Sequence, residues 1–158
     1  MRTYILDSDD LMIEATSRIA SFLEQPLPET NEEYVMLWQH KSELPVDFWW
    51  KPLTSDIFNM ILPLIVLRPV VISAHIASVE EAVARYAGMV SLLGVQQVFH
   101  PVYQKFTEIT GDSFVLVTAN PLAAAEWSRE SIYLPRPWSD LDFCIDLLEE
   151  SLTKLEKI

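Results

Sequence analysis

Tyr4-Ile5-Leu6-Asp7-Ser8-Asp9-Asp10 runs from a short apolar strand straight into three carboxylates. Side chains at i and i+2 share one side only while a strand continues, so the turn after Leu6 decides where Asp7 and Asp9 point. Aimed into one cleft, such a pair can divide the labour of nucleophile and general acid/base. Three acids this close repel one another unless a cation offsets them. A solvated acidic turn before a helix would read the same way, so the rest of the chain must distinguish the two.

Outward from this run, five apolar, β-prone segments recur: Thr3–Leu6, Val70–Ile72, Gln97–His100, Phe114–Val117 and Ile132–Leu134. Helical patterns separate them. Ser78 and Glu81 form a capping box, and Ala82, Val83, Tyr86, Val90 and Leu93 follow near 3.6 spacing, which reads as a helix closed by Gly94. Further helices are expected over about Pro121–Arg129 and Asp140–Lys157. Strands alternating with helices of this length imply an α/β, Rossmann-like parallel sheet of five strands with helices on both faces. Ligands of such sheets bind beyond the carboxyl ends of the strands, where Asp7, Ser73 and Thr118 fall.

Residues 12–64 break the alternation. A helix over Leu11–Leu23, a Pro/Glu-rich loop Gln25–Asn31, a helical stretch Glu32–Lys41 and the aromatic run Asp47–Lys51 read as a small helical cap. Residues 1–11 and 65–158 then form the Rossmann-like core. The apolar segment Phe58–Ile72 is interrupted by Pro63, Arg68 and Pro69, and reads as core rather than a membrane span.

Composition narrows the function. With 158 residues, half of them apolar and including five Trp and seven Phe, the chain can bury one sizeable core. A net charge of −12 opposes binding a nucleic-acid polymer, whose backbone demands clustered Lys and Arg. Cys144 is the one cysteine, so no internal disulfide and no multi-cysteine metal site can form, and its helical spacing with Leu141 and Leu148 buries it. The strand-like N-terminus carries no leader pattern, so the chain reads as cytoplasmic. His40 and His100 have no companions at metal-ligand spacing, and the acidic face Asp140, Asp142, Asp146, Glu149 and Glu150 reads as solvated.

Taken in order, Asp7-Ser8-Asp9, the strand Val70-Val71-Ile72 ending in Ser73, Lys105 upstream of Gly111-Asp112, and Pro135-Arg136-Pro137-Trp138 after the last strand carry a resemblance. Over nearly its whole length the chain resembles the haloacid dehalogenase-like phosphohydrolases, and within them the 5′(3′)-deoxyribonucleotidases with a small helical cap. The resemblance implies a magnesium-dependent phosphatase of the 5′-nucleotidase type acting on a small phosphomonoester such as a nucleoside monophosphate. Asp7 would form an aspartyl-phosphate and Asp9 would act as general acid and base. Ser73 would hold a phosphoryl oxygen, and Lys105 would neutralise charge. Mg²⁺ would be held by Asp7, by the carbonyl of Asp9 and by an acid after the fourth strand. Phe48, Trp49 and Trp50 would stack a base, with Lys51 and His75 near the ligand. No nucleic-acid polymer and no membrane enters this picture, which leaves room for a homodimer.

Two positions depart from the pattern. Where the family ends its fourth strand with one or two aspartates, this chain reads Val117-Thr118-Ala119-Asn120, which leaves Thr118 as the metal ligand. Magnesium usually takes at least one or two carboxylates, so the site loses negative charge. Asp10 stands where the nucleotidases have glycine. A catalytically degenerate member acting as a binding or regulatory protein is the alternative these changes imply. An acidic interaction protein steered to a basic partner is a third class.

Overall fold

In the computed structural model, which describes residues 2–65, 67–93, 99–103, 106, 109, 113–127, 129–136 and 139–156, four parallel strands line up in the order β2-β1-β3-β4. These strands are β1 (Thr3–Asp7), β2 (Val70–Ser73), β3 (Phe114–Thr118) and β4 (Ser131–Tyr133). The helices are α1 (Thr16–Phe22), α2 (Asn31–Trp38), α3 (Phe58–Ile65), α4 (Val79–Leu93), α5 (Pro121–Glu126) and α6 (Leu141–Glu156). Three-residue and four-residue 3₁₀ turns at Lys41–Glu43 and Val46–Trp49 complete the segment between α2 and α3.

The sheet is buried on both faces, which is why its strands read as apolar runs rather than as alternating ones. Tyr4, Leu6, Val115 and Val117 join one cluster with residues of α1, α3, α4 and α6. Ile5 and Leu116, one residue out of phase, join Val102, Phe106, Ala123 and Trp127 on the other side. Each such side chain contributes about 1.5–3 kcal/mol on burial. The first cluster also takes in Leu11, Ile19, Leu37, Trp49 and Ile61, so the segment inserted after β1 shares the core of the sheet.

The sheet has four strands rather than the expected five. Of the expected strand Gln97–His100, residues 97 and 98 lie outside the described residues, and Phe99 contributes an isolated parallel bridge to Ile72. Helix lengths also differ. The first helix begins at Thr16 rather than at Leu11, because residues 9–13 form a turn with Asp10 at φ 66, a left-handed conformation that a helix cannot include. Of the expected capping box, the Glu81 amide donates to Ser78 Oγ (3.1 Å), while Glu81 Oε1 accepts from the amide of Ala77, one residue before the cap (2.9 Å). The expected C-cap Gly94 lies outside the described residues. Helix α3 was legible only as a core segment, since Pro63 inside it removes an intrahelical donor.

The 3.6 spacing does not say which face of α4 lies inward. Val83 and Tyr86, in its apolar stripe, are each 54% exposed. The buried face carries Glu81, Ala84, Arg85 and Met89 instead. Among the described residues no helix is long and apolar enough to cross a membrane.

Candidate functional site

Parallel pairing brings three polar strand ends to one edge of the sheet. Asp7 of β1 is in register with Ser73 of β2, and Leu6 with Val117 of β3, so Thr118 follows beside Asp7. All three side chains are buried. Asp7 Oδ2 accepts from the Thr118 hydroxyl (2.7 Å) and Oδ1 from the Asp9 amide (3.1 Å). Burial, then the charge of Asp9, pushes the Asp7 carboxyl well above the usual carboxylate range, against the pull of the Thr118 hydroxyl. Ser73 Oγ donates to the His100 carbonyl (2.6 Å), so its hydroxyl is occupied by backbone. Asn120 is the N-cap of α5, its side-chain oxygen accepting from the Leu122 and Ala123 amides (2.9 and 3.2 Å).

The three acids of the opening run meet different fates. Asp9 reaches across to α4, where Arg85 grips it with both terminal nitrogens (2.7 and 3.3 Å). The same guanidinium donates through Nε to Glu81 Oε2 (2.7 Å) and lies 3.5 Å from the centroid of the Trp49 ring. Lys41 closes the array, with Nζ 2.7 Å from Glu81 Oε2 and donating to the His75 carbonyl (2.7 Å). Two cations therefore balance two carboxylates in a buried chain from Lys41 to Asp9. Burial works against the charge on Arg85, yet Asp9 and Glu81 outweigh it and raise its pKa. Burial lowers the pKa of Lys41 and that of His75.

Asp10 instead accepts from neutral donors: the Ala15 and Thr16 amides (3.2 and 2.8 Å) and the Thr16 hydroxyl. It thereby caps the first turn of α1 from outside the helix. Thr16 Oγ1 in turn accepts from the Trp38 indole (2.9 Å), which ties α2 to the same turn. Burial pushes the Asp10 carboxyl up to about 7.

A close approach makes the Trp49 stack geometrically accessible. A Cβ on Gly88 would lie 2.6 Å from the Trp49 carbonyl oxygen and 3.0 Å from Pro52 Cδ, so α4 meets the 3₁₀ turn through a residue without a side chain.

Of the expected ligand-binding residues, Phe48 and Trp49 are buried and each has an arginine over its ring, Arg18 at 4.4 Å and Arg85 at 3.5 Å. Trp50 is 46% exposed and Lys51 is exposed. The His75 ring packs 4.2 Å from that of Phe106. Lys105, Gly111 and Asp112 lie outside the described residues. Two surface cavities of about 480 and 530 Å³, beside Met36 of α2, include none of the strand-end residues in their walls.

Arg85 is the residue that reading the sequence missed. Its i, i+4 spacing with Glu81 was available as a signal, but such pairs are ordinarily solvated.

Two of the side chains expected at a magnesium site, Asp7 and Thr118, are engaged with each other. Both Asp7 oxygens accept hydrogen bonds, and Thr118 offers a hydroxyl turned towards Asp7. Among the described residues no group of three or more His, Cys, Asp or Glu side chains converges as metal ligands do. No family model matches the chain, and no curated protein matches it.

Proposed function

We propose that this chain is a catalytically degenerate relative of the haloacid dehalogenase-like phosphohydrolases, of the 5′(3′)-deoxyribonucleotidase type, that serves as a binding or regulatory protein and performs no phosphoryl transfer. The observation that carries this reading is the buried two-pronged pairing of Asp9 with Arg85. A general acid must release and recapture a proton at the leaving oxygen. A carboxylate gripped through both oxygens by a buried guanidinium is turned away from that task. Arg85 also supplies positive charge beside the acidic run, which in a phosphatase would be the part of the metal. Asp10, at φ 66, stands where the nucleotidases have glycine, in the conformation glycine favours.

Phosphate release from a panel of nucleoside monophosphates, with and without magnesium, tests the reading. The expected result is no release above the uncatalysed rate. Release that Asp7→Asn abolishes would overturn it.

A second reading, magnesium-dependent hydrolysis of a nucleoside monophosphate through an aspartyl-phosphate on Asp7, is favoured by one observation. Ser8 Oγ is fully buried beside Asp7 and has no hydrogen-bond partner among the described residues. Such a hydroxyl costs about 1–3 kcal/mol until something meets it. A phosphoryl oxygen would do so. On this reading Asp7→Asn abolishes turnover and Ser8→Ala weakens substrate binding.

A further inference from the structure

Helix α4 is amphipathic in the reverse sense for a helix lying on a core. Its charged pair, Glu81 and Arg85, faces inward, while Val79 (62% exposed), Val83 and Tyr86 (54% each) face outward, followed by the partly buried Val90. These four positions are spaced i, i+4, i+7 and i+11, the repeat of a helix–helix seam. The core does not account for them, since the stripe points away from it. Contiguous exposed apolar side chains of this kind mark interaction surfaces.

We propose that the outer face of α4 is the interface of a homodimer, in which two copies of the helix pack antiparallel about a two-fold axis between Val83 and Tyr86. Charge selects the occupant. The chain carries −12, yet α4 holds three charged residues, of which Glu81 and Arg85 are buried, so Glu80 is the one charge on the outer face. A basic partner would find little to pair with there, whereas two copies of an acidic chain can approach only through a face so nearly neutral. Self-complementarity follows from the axis: Val79 meets Val90 of the second copy, and Val83 meets Tyr86. The small side chains of Ala82 and Ala87 flank the seam and allow close approach. In this antiparallel register the two Glu80 side chains are offset by about nine residues, or roughly 14 Å along the axis. That exceeds the Debye length of about 8–10 Å at physiological salt. A parallel pairing would set them side by side.

Sedimentation velocity on the full chain, with Val83→Glu and the double variant Val83→Glu/Tyr86→Lys, tests this. The wild type is expected to sediment as a dimer at about 100 μM. Its association should tighten as salt rises, because screening relieves repulsion between two acidic copies. Val83→Glu should give a folded monomer with unchanged circular dichroism. The double variant should restore the dimer, because the new acid then faces the new base of the other copy. A monomeric wild type, or a dimer indifferent to Val83→Glu, would overturn the proposal. A dimer that Val83→Glu breaks and the double variant fails to restore would overturn the antiparallel register. Unfolding of Val83→Glu would place the side chain in the core, against the exposure argued here.

Discussion

The two faces of α4 invert the usual rule for a surface helix. The inner face buries a guanidinium and a carboxylate, and the outer face offers valines and a tyrosine to solvent. Hydrophobic burial alone would turn the helix over. What holds it is the acidic run after β1: Asp9 is buried and needs a cation, and Arg85 is placed to meet it. Breaking such a pair costs far more than forming it gains, because the surviving charge is left uncompensated. The comparison teaches that a requirement for charge balance at a strand end can fix the orientation of a neighbouring helix against its apolar moment.

The largest expected effect tests the inner face. Arg85→Ala leaves Asp9 and Glu81 buried without their shared cation, and should cost about 3–5 kcal/mol in denaturant unfolding. A loss below about 1 kcal/mol would mean that Arg85 does not orient the helix.

Asp10 sharpens the comparison, being a buried acid of the same run that neutral donors hold. Its folded carboxyl keeps a proton up to about 7, whereas an unfolded one releases it near ~3.9, so folding takes up a proton between these values. The stabilisation from this group is complete below about pH 4 and is lost as pH rises towards 7, by about 2–4 kcal/mol in all. Asp10→Asn keeps the acceptor and tolerates the left-handed backbone, so it should flatten this slope in stability curves measured across pH. An unchanged slope would remove Asp10 as its source.

Gly88→Ala probes the close approach. The added methyl meets the Trp49 carbonyl at 2.6 Å, and should cost about 1–3 kcal/mol while moving Trp49 off Arg85, visible as a shift in tryptophan fluorescence. Ala87→Ser, on the flank of the outer face, should change stability by less than about 0.5 kcal/mol. Equal effects at the two positions would erase the distinction between the faces.

Much of the fold was legible because its signals are local. Apolar runs such as Tyr4-Ile5-Leu6 and Val115-Leu116-Val117 announce buried parallel strands, and Ser78 with Glu81 announces the start of α4. The orientation of α4 was not legible. Periodicity finds the stripe Val83-Tyr86-Val90 but not the side on which the core lies, and that side is set by a partner, Asp9, 76 residues away in sequence. The site was half legible for a similar reason. Asp7, Ser73 and Thr118 follow from strand ends, whereas the commitments of their side chains depend on long-range contacts. Asn120 could have been read as a helix cap from the Pro121 that follows it.

The central claim is that Arg85 stands in for a metal beside Asp7 and Asp9. Isothermal titration of magnesium into the wild type and into Arg85→Met, a variant that fills the same space without charge, tests it most directly. The account predicts only heat of dilution for the wild type, and measurable binding or thermal stabilisation by magnesium once the guanidinium is gone. Saturable one-to-one magnesium binding by the wild type, lost in Asp7→Asn, would contradict it.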